Sequence, residues 1–589
     1  MRPVPPVSAS SMHRTDLQKA RLKDAAILLI MMVLAGAGLI YEYLLSHYAG
    51  RVIGLMEHAI FTMIGVMIVS MGVGALAAKR LKDPETAFVV LELAIALIGA
   101  TAVLMIAGMF AFVAELPRLI AANFGMPFDA VPHGGLSHHL ETWAKYFPYV
   151  AGFVLGAGVG MEIPLIARVR ERLYQAHLEH NTGTVYGLDY IGAGVGAAIF
   201  VAILLAVPPE RAALWVAAAN LTVGLAFLIL RWRHVRHPRL FAGAHGLIGL
   251  FLLFLSFNVA DWRQSLENLL YEDRVIFSKS TDFQHITLTE RRTAPDMPAQ
   301  FSLFLNGRLQ FCTCDEAVYH AMLVGPPLLA SARNKDILVI GGGDGMAVRD
   351  ILRWHPDQVT VLELDQQMIR LFSEPVALEG RVINERLLEI SNRSFKDPRV
   401  QVILGDAYNS IDQILREGKR FDTIIVDLPD PSHPNLNKLY SARFYAKLRQ
   451  ALAGDGAIAI QSTSPYHARD AFLTVGVTLE AAGFGSVERY HANVPSFGEW
   501  GWTIAVPQGR PASQRLAEST HPLPSGFWAT KSFLKAAYEF PEGFLAAAEG
   551  LEPNTLGSHR MYLLHQKAWG QREIKVTGAG PVPTQTKED

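Results

Sequence analysis

The chain has little cysteine, little charge and almost no charge imbalance. Only two of its 589 residues are cysteine, Cys312 and Cys314. Two thiols cannot complete a four-ligand zinc site, and positions this close make poor disulfide partners, so they read as packing residues. Charged residues are 18% of the chain and the net charge is -1, which gives no reason to expect a nucleic acid as partner. Hydrophobic residues take up the space, at 50%, a composition displaced toward the membrane class.

Those apolar residues are concentrated in the first half. Seven runs, near 25–45, 58–78, 86–114, 147–167, 185–207, 211–230 and 240–260, are long enough to cross a bilayer and lack the polar stripe of a water-soluble bundle. The first run follows a polar segment, 1–24, and is longer than a signal-peptide core, so it is expected to stay in the membrane. Glycines at 152, 156, 158 and 160, and at 192, 194 and 196, allow close helix approach. Glu42, Glu57, Glu92, Glu162 and Asp189 lie within or beside the runs, where charge is costly and faces a partner or a cavity. His133, His138 and His139, in the loop at 115–146, read as solvated rather than metal-binding.

From 261 the composition becomes that of a soluble protein. Alternating segments at 271–280, 284–291 and 301–311, with Asn306-Gly307 as a hairpin turn, predict a small antiparallel sheet, and 314–329 a helix. Then 336–346 reads as a buried strand running into a turn, Gly341 to Gly345, and a helix follows. Strand-helix units at 337–354, 359–372, 400–416 and 421–427, then 456–462, predict a doubly wound sheet with its site at the strands' carboxyl ends. Late strands are expected near 486–491 and 501–506.

A glycine turn before a helix usually invites an anion. Here Asp344 already places a negative charge there, which repels a pyrophosphate and suits a nucleoside whose tail ends in an ammonium. Glu363 ends the next strand, 22 residues after Gly341, where a carboxylate can take ribose hydroxyls. Asp406 closes the strand after that and can accept from an adenine amino group. Asp427 and Asp430, three apart in a loop stiffened by Pro429 and Pro431, are the most chemical feature after the turn.

Together these features resemble the spermidine synthases, the polyamine aminopropyltransferases, over about 271–507. The resemblance rests on Gln284, Asp315-Glu316 with Tyr319-His320, Gly341 to Gly345, Glu363-Leu364-Asp365, Gly405-Asp406, and Asp427 to Pro431 with Pro434. It implies an α-helical transmembrane bundle (25–260), then a small β subdomain with a helix (261–330). After these comes an α/β Rossmann-like, class I methyltransferase-like domain (331–507); beyond the resemblance, the composition of the remaining extension (508–589) predicts a helix at 531–550 and disorder at 578–589. By the same resemblance Gly341, Gly343, Gln284, Glu363, Asp406, Ala407 and Pro434 hold the methylthioadenosine part of the donor. His320, Asp344, Asp427 and Asp430 hold the polyamine, with Asp427 as proton acceptor and Glu499 a further partner for a distal ammonium.

The co-substrate implied is decarboxylated S-adenosylmethionine, with no cofactor and no metal. The other partners are an amine such as putrescine and the lipid bilayer; a homo-oligomer is compatible with the pattern. The family usually has glycine where Ala407 stands and Gly-Pro where His433-Pro434 stands, and 494–500 lacks its usual tyrosine. These departures bear on the acceptor more than on the donor. Two other readings are an S-adenosylmethionine-dependent methyltransferase on the same fold and a membrane polyamine transporter or sensor whose soluble part does not catalyse. A cytoplasmic amino terminus puts fourteen Lys and Arg inside and six outside. Seven spans would then carry the catalytic domain outside, so a cytoplasmic catalytic domain requires the count to be wrong by one.

Overall fold

The structure, a computed structural model, describes residues 14–572 apart from 54–55, 125–135, 176, 272, 293, 295 and 379. His133 and the segment 578–589 therefore lie outside the described residues. The chain forms two compact units, Met1–Val275 and Ile276–Asp589.

The first unit is a bundle of α1 (Arg14–Ile53), α2 (Met56–Ala77), α3 (Pro84–Phe124), α4 (Leu136–Tyr174), α5 (Asn181–Ala202), α6 (Pro209–Leu230) and α7 (Pro238–Leu270). Each of these seven is long and apolar enough to cross a membrane, so among the described residues the count is not reduced by one. Helix α7 runs ten residues beyond its apolar stretch, to Leu270. Phe257, Leu247 and Phe61 are 76%, 70% and 69% exposed, an outward apolar face that suits lipid. Small residues let the helices meet: a Cβ on Gly160 would stand 2.1 Å from the Met71 carbonyl oxygen, and one on Gly192 2.0 Å from that of Met32. Gly194, by contrast, faces open space.

The second unit begins with a four-stranded sheet in sequential order, β1 (Arg274–Ser280), β2 (His285–Arg291), β3 (Gln300–Leu305) and β4 (Arg308–Cys312). Asn306 and Gly307 link β3 to β4 with φ of 52° and 79°, the two positive values that a tight two-residue hairpin requires. Helix α8 (Glu316–Ala330) follows. The alternating part is β5 (Asp336–Gly341), α9 (Met346–Leu352), β6 (Gln358–Glu363) and α10 (Gln366–Ser373), then the short strands β7 (Ala377–Leu378) and β8 (Arg381–Val382). It continues through α11 (Glu385–Ile390), β9 (Val400–Leu404), α12 (Ala407–Arg416), β10 (Phe421–Asp427), α13 (Ala442–Ala451) and β11 (Leu452–Gln461). Helix α14 (Arg469–Ala481), β12 (Ser486–Val494) and β13 (Gly498–Val506) complete it.

The main sheet has the order β12-β13-β11-β10-β5-β6-β9. Strands β11, β10, β5, β6 and β9 are parallel, while β12 and β13 form an antiparallel hairpin at one edge. The sheet is therefore mixed: residues 495–497 alone join β12 to β13, too few for a parallel crossover. Along β5, Ile337 and Val339 enter one core with Val318, Ile351 and Trp502, and Leu338 and Ile340 the other with Phe444, Leu448 and Val475. That alternation buries both faces and leaves only strand ends for chemistry. The chain runs from β5 out to β6 and β9, then returns to β10 on the other side, so β5 and β10 flank the switch point.

The extension contains α15 (Ala512–Glu518), α16 (Lys531–Ala536) and α17 (Arg560–Arg572). The continuous helix expected over 531–550 stops at Ala536, because Pro541 and Gly543, at φ of 72°, break it before a short 3-10 turn, Leu545–Ala548. Fully buried Asn554 ties the tail back, its Nδ2 donating to the carbonyls of Asn437 and Tyr440, each at 3.0 Å.

Gly341 is the tightest point of the sheet's active edge: its φ is +78° and a Cβ would lie 2.1 Å from the Asp427 carbonyl oxygen. Gly341→Ala is expected to destabilise the chain by roughly 3 kcal/mol or more, combining a left-handed backbone with a backbone clash. Thermal unfolding of the variant beside the parent measures it.

Candidate active site

Four strand ends meet at the switch point. Gly342 N–H donates to the Asp427 carbonyl at 3.1 Å, drawing the turn after β5 against the end of β10. A Cβ on Gly342 would sit 3.4 Å from Asp427 Oδ2, and one on Gly343 2.9 Å from Glu363 Oε2. The turn therefore runs between two carboxylates. Asp344, on its far side, accepts from Met346 N–H at 2.9 Å in the first turn of α9.

Helix α8 supplies the wall opposite. Glu316, Tyr319 and His320 fall on one helical face by their spacing of three and four. Tyr319 hydroxyl donates to Asp427 Oδ1 at 2.8 Å. His320 Nδ1 meets the carbonyl oxygen of Glu316 at 2.8 Å and its Oε2 at 3.0 Å, both acceptors, so Nδ1 carries a proton. Its Nε2 faces Asp344 Oδ2 at 3.7 Å, an ion pair too long for a hydrogen bond. Arg349 closes the group by donating to both oxygens of Glu316, at 2.9 and 3.0 Å.

Burial pushes His320 down, but Asp344 and Glu316 outweigh it and hold the imidazole well above its ordinary range. The protonated ring is therefore the form these two carboxylates favour. Burial raises Glu316, yet His320 and Arg349 win and hold it at about 2. For Asp427, burial and then the charge of Asp344 raise the carboxyl to about 6, against the pull of His320 and Tyr319. The Tyr319 hydroxyl is raised far above its usual range by burial and Asp427, so it stays a donor.

Ligating atoms of His320, Asp344 and Asp427 lie within 4.8 Å of one another, close enough for a cation of either kind, metal or ammonium. Cys312, Cys314 and Asp315 form the other such group among the described residues. The two cysteines, however, are joined in a disulfide with Cα atoms 5.1 Å apart, which corrects their reading as free packing residues. The chain turns between the end of β4 and the start of α8, bringing alternate positions into the range a bridge spans. Asp315 accepts from Ser496 backbone N–H and, at 3.0 Å, from its hydroxyl, fastening the β12–β13 tip beside α8.

At the end of β6, Glu363 Oε1 accepts from Leu364 and Asp365 N–H, each at 2.9 Å, while burial lifts its carboxyl to about 7. Gln284 does not stand alone: its Nε2 donates to Asp365 Oδ2 at 3.0 Å, and Thr281 hydroxyl reaches the same oxygen at 2.8 Å. Asp406 caps α12 through Tyr408 N–H at 3.0 Å and pairs with Lys438 at 2.5 Å. Ala407 is buried in the first turn of α12, and Pro434 opens the 3-10 helix that carries Lys438.

The structure thus joins His320, Asp344 and Asp427 in one group and sets Asp430 in another. Asp430 Oδ1 accepts from Gln461 Nε2 at 3.0 Å, and Oδ2 from Thr463 hydroxyl at 3.3 Å and His565 Nε2 at 3.1 Å. Burial alone would raise its carboxyl, but His565 and Gln461 hold it below the usual range. Gln461 also donates to the Leu428 carbonyl at 2.9 Å, and Tyr440 hydroxyl to that of Pro429 at 2.9 Å, so both ends of the loop are pinned. Glu499 is engaged by His491. Arg349, Lys438, Tyr440, Gln461 and His565 went unread in the sequence. Gln461 carried a signal, as the polar residue closing a parallel strand; His565 carried none.

Residues 316–516 match the spermine/spermidine synthase domain. The chain is 49% identical to a polyamine aminopropyltransferase of Shewanella oneidensis, covering 95% of this chain and 99% of that one. It is 34% identical to polyamine aminopropyltransferase 1 of Streptomyces coelicolor, covering 87% and 89%. Among solved structures, a spermidine synthase from Thermotoga maritima superposes with a TM-score of 0.38 at 23% identity, covering 47% of this chain and 87% of that one.

His565 is 1% exposed and completes the donor set of a nearly buried carboxylate. His565→Ala is expected to lower stability by about 1–3 kcal/mol, the cost of an unmet buried acceptor, and His565→Gln to recover part of it. Denaturant unfolding of the three proteins reads the difference.

Proposed function

The chain belongs to the polyamine aminopropyltransferase family, and on that premise we propose that it transfers the aminopropyl group of decarboxylated S-adenosylmethionine to a linear amine such as putrescine, releasing 5′-methylthioadenosine. The observation that carries this reading is the pairing of Asp344 and Asp427 across the glycine turn, with His320 between them. Asp344 stands where the donor's tail would end. An ammonium is attracted there and a carboxylate repelled, which favours the decarboxylated donor over its parent.

Glu363 takes the ribose hydroxyls in this scheme, with Gln284 and Asp365 bracing that side and Asp406 and Ala407 beside the adenine. Gly341 and Gly343 leave room for the sulfonium, and Pro434 covers the base. The acceptor arrives as an ammonium with a reference pKa of about 10 and must lose a proton. Asp427 takes it. At about 6 its carboxyl is a stronger base than an ordinary aspartate, which narrows the gap, while burial lowers the amine's own pKa. The freed lone pair attacks the carbon beside sulfur, the carbon–sulfur bond breaks, and its electron pair leaves with neutral methylthioadenosine. Fixing both reactants in line supplies much of the acceleration. Asp430 offers its remaining lone pair to the acceptor's far ammonium.

Seven apolar helices support a multi-pass membrane location. With an odd number of spans the positive-charge pattern and a cytoplasmic catalytic unit disagree, and we favour the cytoplasmic placement because the sulfonium nucleoside is made there.

Asp427→Asn is expected to cut turnover by about 10³-fold or more with donor affinity retained, measured as methylthioadenosine formed. In the parent, kcat/KM for the amine should fall as pH drops through about 6, because the base is then protonated. Tyr319→Phe removes a donor to the carboxylate and should move that limb to higher pH. S-adenosylhomocysteine as the product would instead identify a methyltransferase. Asp344→Asn should shrink the preference for the decarboxylated donor by about tenfold, a change of about 1.4 kcal/mol in relative binding, read from competition between the two sulfonium compounds.

A further inference from the structure

The helical unit contains buried acids of two kinds. Asp24 lies 2.7 Å from Arg170, Glu85 2.9 Å from Arg231, and Glu210 2.8 Å from Arg263, which also meets Glu267 at 2.5 Å. Each of these carboxylates is neutralised by a guanidinium. Glu92 on α3 and Glu162 on α4 are 0% and 1% exposed, and among the described residues no arginine or lysine is paired with either. Both oxygens of Glu162 and Oε1 of Glu92 lack any hydrogen-bond partner.

Other helices add unpaired atoms at the same depth. Asn220 on α6 donates weakly to Glu92 at 3.5 Å, leaving its own Oδ1 unmet. His245 on α7 donates from Nδ1 to the Phe241 carbonyl at 2.8 Å, so in the neutral ring Nε2 is a bare lone pair, and it too has no partner. Gly224 lies between them: a Cβ there would be 3.0 Å from the Cβ of Glu92 and 3.2 Å from His245 Nε2. Tyr41 hydroxyl, buried against α3 at Gly99, is also unpartnered. Counted along their helices from the arginine-bearing end, Glu92, Glu162, Asn220 and His245 are each roughly 10–16 Å in, well inside a hydrocarbon layer about 30 Å thick.

Apart from the phenol, every unmet atom is an acceptor. Such a set in a dry interior wants a cation that brings N–H donors. Guanidinium partners were available to the sequence and were used elsewhere in the bundle, so their absence here leaves the place to something from outside.

We propose that Glu92 and Glu162, with His245 Nε2 and Asn220 Oδ1, form an intramembrane binding site for the primary ammonium group of a linear amine. That the ammonium belongs to a di- or polyamine rests on the reaction proposed above; that the occupant is a donor-rich cation does not. Three N–H donors match acceptors on four helices, and an alkyl chain suits the apolar surroundings. Asp189 on α5, half-buried, is near enough for its charge to reach Glu162 and marks the side on which the group is less sealed.

The test is equilibrium binding of radiolabelled putrescine to the full chain in lipid nanodiscs, with no sulfonium donor present. The parent should bind two amines per chain. Glu92→Gln/Glu162→Gln should bind one, with methylthioadenosine production in a separate assay unchanged. Equal stoichiometry in parent and variant overturns the site, and so does displacement of the second amine by equimolar sodium, which would make it a metal-ion or proton site. If the double variant does not assemble, His245→Leu should weaken the second site about tenfold and His245→Gln should preserve it; no difference between them overturns the proposal. A parent that binds two amines but forms no methylthioadenosine would refute the reaction and leave this site standing.

Discussion

Two carboxylates at strand ends can crowd the same turn only if its backbone leaves them room. The turn after β5 meets this condition on both flanks, with Asp427 against Gly341 and Gly342 and Glu363 against Gly343. Two acids that end the strands on either side of β5 thus border one turn, which also carries Asp344. Helix α8 then decides how those acids behave. Tyr319 donates to Asp427, and His320 sets its imidazole beside Asp344.

Electrostatics explains why so much of the unit is devoted to bracing. The cluster around α8 would be self-repelling without His320 and Arg349: Asp344 and Glu316 favour the charged imidazole, and Arg349 neutralises Glu316 with a bidentate pair. The helical unit handles most of its acids the same way, with arginines. Glu92 and Glu162, and also Glu42 on α1, are buried without such a pair among the described residues, and an uncompensated carboxyl in an apolar bundle is costly.

What could be read in advance follows from how local the physics is. Gly341 to Gly345, Glu363, Asp406 and Asp427 sit at fixed distances from the ends of apolar strands, so spacing alone placed them on one edge, and seven apolar runs announced seven helices. The late strands were legible but their direction was not, since it depends on the short link at 495–497. The cysteine pair was misread because sequence separation says nothing of a turn that folds alternate positions together. Asp430 was legible as an acid near the site; its partner His565 lies 135 residues away, and no periodicity connects them. The extension's helix was overestimated because apolar and alanine-rich residues around Pro541 and Gly543 carry high propensity that a proline and a left-handed glycine override.

The tail's grip on the loop that bears Asp430 has a consequence for biogenesis. Asn554 clasps the turn that bears Tyr440, and His565 completes the setting of Asp430. Translation proceeds from the amino end and delivers these two residues after every strand of the sheet has been made. The edge that bears Gly341 to Gly345 and Glu363 can therefore take shape while the ribosome is still working, whereas the setting of Asp430 waits for a segment made after the whole sheet; under the proposed reaction, a nascent chain would meet its donor before it is equipped to spend it.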